Sequence, residues 1–242
     1  MVAHSKHPIG RGGRGPWQRI PVVPVSRFIM GVDLGQSNDP TAISVIHHTV
    51  SPTGDWTISY GDHIRHNVTR ERSETRFAVR ALERVPLGTP YPQVVARVGE
   101  LLDRPPLREG CDLVVDETGV GRAVSDIFES AGMRPQRVAI TAGNEITNPE
   151  NRRWHVPKAH LISTVDARLH VGELRFAAEL TDAGALAEEL KDFRRTVSAA
   201  GRASFNAREG KHDDLILSIA IALWWASRPR TGGGQAPISG FF

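Results

Sequence analysis

The chain has 242 residues, 40% of them hydrophobic and 24% charged, with a single Cys. That length fits one domain or one domain with a small addition, and one thiol excludes an internal disulfide and any zinc centre built on several Cys. The net charge of +3 lies in the leader: residues 1–27 carry Lys6, Arg11, Arg14, Arg19 and Arg27 and no acid, which leaves 25 basic against 27 acidic residues in the rest.

Residues 1–26 are rich in Gly, Pro, Arg and His and read as a flexible basic leader, with PVVPV an extended piece entering the first strand. A single domain is expected over residues 27–227, and residues 228–242 read as a disordered tail. The longest apolar stretch, Leu215 to Ala226, is short of the roughly 20 residues that span a bilayer. No signal-peptide pattern opens the chain and no G-x-x-x-x-G-K-[ST] occurs, which excludes a P-loop ATPase.

Within the domain the elements come in an α/β order. Arg27–Asp33 is an apolar run ending in an acid and predicts a buried strand; Thr41–His48 and Trp56–Arg65 predict two more. Arg76–Val85 fits a strand or a helix. Pro92–Asp103 has helical spacing, Leu113–Asp116 is a short strand ending in an acid, and Gly121–Ala131 is a helix entered through a Gly-rich turn. Arg137–Thr141 predicts a strand, and Pro157–His170 a helix with Pro in its first turn. Asp182–Phe193 predicts a helix, Arg195–Ala207 a hairpin turning at Ala200-Gly201, and Asp213–Ser227 an apolar closing helix. Short early links permit antiparallel hairpins, whereas the later strands need helical crossovers and so run parallel. The expected fold is a mixed sheet, three antiparallel strands and then parallel ones, flanked by helices.

Acids stand at the ends of apolar segments: Asp33 in FIMGVDLG, Asp116 in DLVVDETG, and Asp213 and Asp214 in KHDDLILSIAIALWW. Ligands of open α/β sheets gather beyond the carboxyl ends of the strands. If the first and fourth predicted strands are neighbours, Asp33 and Asp116 meet there, and a helix over that edge adds Asp213 or Asp214. Like charges about 4 Å apart cost on the order of 4 kcal/mol at an effective dielectric of 20, which divalent cations relieve. Oxygen donors without Cys or His select Mg²⁺ or Mn²⁺. Each acid has a plainer alternative: helix capping for Asp213 and Asp214, a turn for Asp116, an Asx-turn for Asp33. Asp39, before Pro40, reads as a turn acid or a supporting residue.

VDLGQSNDPTAISVI, PLGTPYPQVVARVGELL, VVDETGVGRAVSDIF, VPKAHLISTVDARLHVGELRF and REGKHDDLILSIAIALWW resemble the nuclease domain of tailed-phage terminase large subunits. The resemblance implies an RNase H-like fold and a two-metal endonuclease using two Mg²⁺ or Mn²⁺ ions. Such a nuclease cuts concatemeric viral DNA during genome packaging. By motif, Asp33 and Asp116 match its first two metal ligands and the Asp213-Asp214 pair the third, with Asp214 favoured. One ion then activates the attacking water while the other steadies the leaving 3′ oxygen. It also implies double-stranded DNA as substrate, a separate packaging ATPase, a small terminase subunit and a portal as partners, and the bacterial host cytoplasm, at the procapsid, as location. Full-length large terminases carry an N-terminal packaging ATPase. Only about 27 residues precede the first strand here, so an excised domain, a split-gene nuclease or a prophage remnant is expected.

Further residues are candidates for DNA contact. Arg122 follows Thr118-Gly119 at a Gly-rich turn that suits a phosphate, or else simply turns strand into helix. Lys158 opens a helix, where a cation opposes the macrodipole; it holds a phosphate or an acid, or is simply a solvated Lys. Arg194, Arg195, Arg202 and Arg208 flank the hairpin as a basic ribbon or a solvated one. His212 precedes the acid pair as proton relay or cap, and Trp224 and Trp225 read as core. Competing classes are a Holliday-junction resolvase, an actin-like ATPase or sugar kinase fragment, and a non-catalytic DNA-binding or capsid-assembly piece.

Overall fold

Period-two strands and 3.6-period helices build the architecture. The computed structural model describes residues 18–35, 39–59, 68–120, 122–192, 194–197, 203–206 and 212–228. The strands are β1 (Gln18–Ile20), β2 (Val25–Asp33), β3 (Ala42–Ser59), β4 (Val68–Arg84), β5 (Cys111–Asp116), β6 (Gln136–Thr141), β7 (Thr147–Glu150), β8 (Arg153–Pro157), β9 (Leu174–Phe176), β10 (Arg194–Val197) and β11 (Ala203–Asn206). The helices are α1 (Tyr91–Leu102), α2 (Arg122–Ser130), α3 (Lys158–His170), α4 (Ala183–Asp192) and α5 (Asp214–Ala226).

The chain divides into two compact units. The smaller, residues 1–25 with 50–74, contains β1, which pairs in parallel with β4 from Gln18↔Val68 to Ile20↔Arg70. Its Arg19 guanidinium lies 5.5 Å from the centre of the Trp56 ring, and the Val22 N–H donates to Glu71 at 2.9 Å.

The larger unit, residues 26–49 with 75–242, holds the sheet in the order β4-β3-β2-β5-β6-β8-β7, with β9 also parallel to β4. β2, β3 and β4 are joined by eight-residue links. A parallel neighbour needs a crossover of a dozen or more residues, so these pairings are antiparallel. β2, β5, β6 and β8 are mutually parallel, and β7 returns antiparallel to β8. The result is a mixed sheet flanked by helices, as expected from the sequence.

Alternation sends side chains to two cores. Met30, Val32, Leu113 and Val115 meet α1 and α2 on one face. Ile29, Val114, Val138 and Val156 meet α3 and α5 on the other. By the same period of two, Asp33 and Asp116 belong to the α5 face. Helix α5 is apolar on all sides and buried nearly throughout, sandwiched between sheet, α3 and α4.

Two residues of β2 seat this helix. At Gly31 an added Cβ would stand 2.0 Å from the Ser218 carbonyl oxygen and 2.9 Å from Ala222 Cβ, so only Gly allows the approach. Arg27 donates to the carbonyls of Trp225 and Ala226 in the last turn of the helix, the Trp225 carbonyl also accepting the Arg228 N–H at 3.1 Å. From Arg27 to Asp33 the strand rises about 20 Å, and α5 is about 18 Å long. The match brings the N-terminus of α5 level with Asp33.

Some elements differ from expectation. β3 is one continuous strand through Pro52–Gly54, merging the second predicted strand with the start of the third, because its partner strand extends alongside. Residues 76–84 are strand and not helix. β1 lies in the stretch read as leader, and β7, β8 and β9 add to the predicted strands. Residues 60–65 of the predicted third strand, most of the leader and nearly all the tail lie outside the described residues. Among the described residues no helix is long and apolar enough to cross a membrane.

A carboxylate cluster at the head of the sheet

β2 and β5 pair in parallel with Asp33 opposite Asp116. Two strands that each end in an acid therefore deliver both carboxyls to the same edge and the same face. Asp116 is 5% exposed. Its Oδ1 accepts both the N–H of Thr118, at 2.8 Å, and the Thr118 hydroxyl, while Thr118 Oγ1 accepts the Ile140 N–H at 2.7 Å. Thr118 thus fixes Asp116 to β6. The Thr118 N–H and hydroxyl are both paired within the protein.

Burial pushes the Asp116 carboxyl up to about 6, against the opposing pull of the Thr118 donors. Asp33 is raised well above the ordinary range, first by burial and then by the negative charges of Asp116, Asp213 and Asp214. A pair of carboxyls whose ionisation is opposed by burial and by neighbouring negative charge demands positive charge once it ionises.

Asp213 is the N-cap residue of α5 yet makes no side-chain capping hydrogen bond. Its Oδ2 is held instead by Lys158 Nζ at 2.6 Å. Lys158 begins α3 directly after β8, so it reaches the cluster from the same carboxyl edge. Of the readings for Lys158, the side chain holds an acid.

Asp214 is differently placed. Its carboxylate, 5% exposed, receives Arg84 as a fork, Nε to Oδ2 at 2.9 Å and Nη2 to Oδ1 at 3.0 Å. Asp213 is the more open member, at 23%. Arg84 also donates to Glu189, whose Oε2 accepts the Ile216 N–H of α5 at 3.0 Å. Burial, with Asp214 adding repulsion, pushes Glu189 up to about 7.

The loop after β2 folds back because Gly35 has no Cβ: one added there would stand 2.0 Å from the Asp39 carbonyl oxygen. That return sets Asp39 Oδ1 3.5 Å from His212 Nδ1, beside Asp213. Asp39 and His212 therefore meet. Arg122 starts α2, and Arg195 lies in β10, opposite Phe205 of β11 in an antiparallel pair. The side chains of Arg122 and Arg195, and Arg202 altogether, lie outside the described residues. Trp224 is core, as expected.

Sequence reading missed Arg84, Glu189 and the Glu117–Arg153 ion pair. Glu189 had a legible signal, since it falls on the same helical face as Leu186 and Leu190, where an acid is buried unless the pattern is broken. Arg84 had none, because nothing local distinguishes it from Arg76 or Arg80.

The donors available here are carboxylate oxygens, which suit hard divalent cations. Among the described residues no group of three carboxylates, imidazoles or thiols is in position to hold a metal ion as the side chains lie. Asp33 and Asp116 stand opposite each other in register, while Asp213 is held by Lys158 and Asp214 by Arg84.

The sheet order, with β2 and β5 parallel at its centre, makes a mixed α/β fold of the RNase H-like kind. The chain is similar in structure to the large terminase nuclease of thermophilic phage G20c, solved with magnesium bound, at a TM-score of 0.55 and 21% identity over 82% of this chain and 81% of that one. It is similar also to the large terminase nuclease domain of Thermus phage P74-26, at 0.50 and 18% over 81% and 78%. The large terminase of a further thermophilic bacteriophage matches at 0.51 and 9%, over 84% of this chain and 41% of that one. No family model and no curated protein matches the sequence.

Proposed function

We propose that this chain is a metal-dependent DNA endonuclease of the terminase large subunit type, which cuts concatemeric viral DNA during genome packaging. The observation that carries the reading is the register pair Asp33↔Asp116, on the sheet face that also receives the acidic start of α5. Similar folds solved with magnesium and with cobalt support divalent ions at such a site. Two Mg²⁺ or Mn²⁺ ions bound there supply Lewis acidity and positive charge to an in-line displacement at phosphorus.

The chain's own groups have separable roles in this reading. Asp33 and Asp116 present ionised oxygens from the ends of β2 and β5. Asp213, the more exposed of its pair, supplies the third carboxylate. Lys158, released as Asp213 turns, is within reach of a phosphate oxygen of the DNA. Arg122, Arg195 and Arg202 are the residues that contact the phosphate backbone and not the bases in this reading. Partners in this reading are double-stranded DNA, a packaging ATPase, a small terminase subunit and a portal, in the host cytoplasm.

The test is nicking of supercoiled plasmid in Mn²⁺ and in EDTA by wild type, Asp33→Ala and Asp116→Ala. Cleavage by wild type in Mn²⁺ alone, abolished in both variants, is expected. Equal activity in wild type and variants would overturn the site. Exclusive cutting of a four-way junction over plain duplex would replace the terminase reading by a resolvase.

A further inference from the structure

Helix α5 begins with two acids, and an N-cap Asp ordinarily turns its side chain to the unpaired N–H groups of the first turn. Asp213 occupies the N-cap position and makes no such bond. The capping acceptor comes from another element: Glu189 of α4 takes the Ile216 N–H at 3.0 Å and is itself 7% exposed. The next acid, Asp214, is locked by both arms of Arg84 at 2.9 and 3.0 Å. Arg84 in turn donates to Glu189, and its own backbone N–H donates to Asp182 Oδ2 at 2.8 Å, at the start of α4. One arginine at the end of β4 thus ties together β4, α4 and the first turn of α5.

We infer that Glu189 and Arg84 are positioning residues: Glu189 caps α5 in place of Asp213, Arg84 immobilises Asp214, and the Asp213 carboxylate is thereby kept out of the cap, paired with Lys158 and open to metal once it turns from that lysine. The inference rests on the nuclease reading above and assigns a division of labour within the acid pair. A fork of two hydrogen bonds fixes both the distance and the rotation of Asp214. The backbone of Asp213, one residue earlier, inherits that orientation. Without Glu189, the N–H of Ile216 is left buried and unpaired, and Asp213, the N-cap residue, can turn back and cap it. Its oxygen would then leave the site. Outer partners that orient a metal ligand typically change metal affinity by about 10- to 100-fold when removed.

The experiment titrates the full chain with MnCl₂ by calorimetry without DNA, alongside thermal melting in EDTA and plasmid-nicking kinetics. Variants are Glu189→Ala, Arg84→Lys, Asp213→Asn and Asp214→Asn. Glu189→Ala is expected to weaken Mn²⁺ binding by at least about 10-fold at a temperature where it remains folded, with kcat lowered and KM for DNA little changed. Arg84→Lys keeps the charge but loses the fork, and is expected to fall between wild type and Glu189→Ala. Asp213→Asn is expected to lose more Mn²⁺ affinity than Asp214→Asn. A merely structural role would lower the melting temperature and leave Mn²⁺ affinity unchanged in the folded protein. That result in Glu189→Ala, or in Arg84→Lys should Glu189→Ala not fold, overturns the inference. So does an Asp214→Asn variant that loses Mn²⁺ while Asp213→Asn keeps it. Wild type that neither binds Mn²⁺ nor cuts DNA would overturn the nuclease reading and the clamp together, whereas wild-type binding with unaltered clamp variants overturns the clamp alone.

Discussion

Replacing Asp116 by Asn removes one negative charge from the buried pair and keeps the side-chain shape. Asn Oδ1 can still accept the Thr118 N–H that Asp116 accepts at 2.8 Å. The carboxyl of Asp116 is raised from an ordinary 3.8 to about 6, with burial as the first cause. At pH 7.5 it is ionised in both folded and unfolded chains, so the raised value corresponds to a destabilisation of about 3 kcal/mol in the metal-free protein. Asn also has a buried amide N–H₂ to satisfy, which Asp33 can accept once ionised, so the net gain is roughly 1–3 kcal/mol. For a domain of this size that raises the melting temperature by about 2–10 °C. Thermal melts of wild type and Asp116→Asn in EDTA measure it. The gain should shrink at pH 5, where wild-type Asp116 is largely protonated when folded. Mn²⁺ should raise the melting temperature of wild type and not of the variant, and the variant should not nick plasmid. A variant less stable than wild type at pH 7.5, or a gain of the same size at pH 5, would refute the reasoning.

Metal-free wild type should gain stability as pH falls from 8 to 6.5, because Asp116 at about 6 and Glu189 at about 7 bind protons more readily folded than unfolded. His48, which burial beside Arg27 and Arg168 pushes down to about 4, acts in the opposite sense below about 6.5 and limits the window. Melts across that range check this, and the shift produced by Mg²⁺ or Mn²⁺ should be larger at pH 8 than at 6.5, since protons compete for the same oxygens. Gly31→Ala should cost about 1–3 kcal/mol or more, since its Cβ would meet the Ser218 carbonyl oxygen at 2.0 Å, and the displaced α5 should also bind Mn²⁺ more weakly. A Gly31→Ala protein with wild-type melting and Mn²⁺ affinity would remove the close-packing argument. Lys158→Ala breaks a partly exposed ion pair and should change stability by less than about 1 kcal/mol. It should leave Mn²⁺ binding intact or tighter, since Asp213 is untied, yet slow plasmid nicking; calorimetry beside kinetics separates the two effects.

Much of the fold follows from local pattern. Apolar runs ending in Asp33 and Asp116 mark strands whose acids emerge at the carboxyl edge, and the run after Asp214 marks a buried helix. Residues 76–84 are ambiguous in sequence because their apolar positions, Phe77, Val79 and Leu82, satisfy neither period cleanly; the neighbouring strand decides the matter. The short β8 and β9 carry too few residues to show a period and exist because a partner strand offers hydrogen bonds.

The same division runs through the site. Residue identity by itself determined that Asp33 and Asp116 end apolar strands, and alternation that each shares a side with the residue two before it, Gly31 and Val114. They also determined that an acid pair opens an apolar helix. Only the tertiary structure decided that β2 and β5 are neighbours in register, that Gly31 lets α5 settle on the sheet, and that the two acids of the pair face different partners. Asp213 and Asp214 are adjacent in sequence and alike in chemistry, so nothing local tells them apart. What separates them is Lys158 arriving from β8 and Arg84 from β4, on opposite sides of Asp33 in the strand order, and long-range placement of that kind leaves no local trace in the chain.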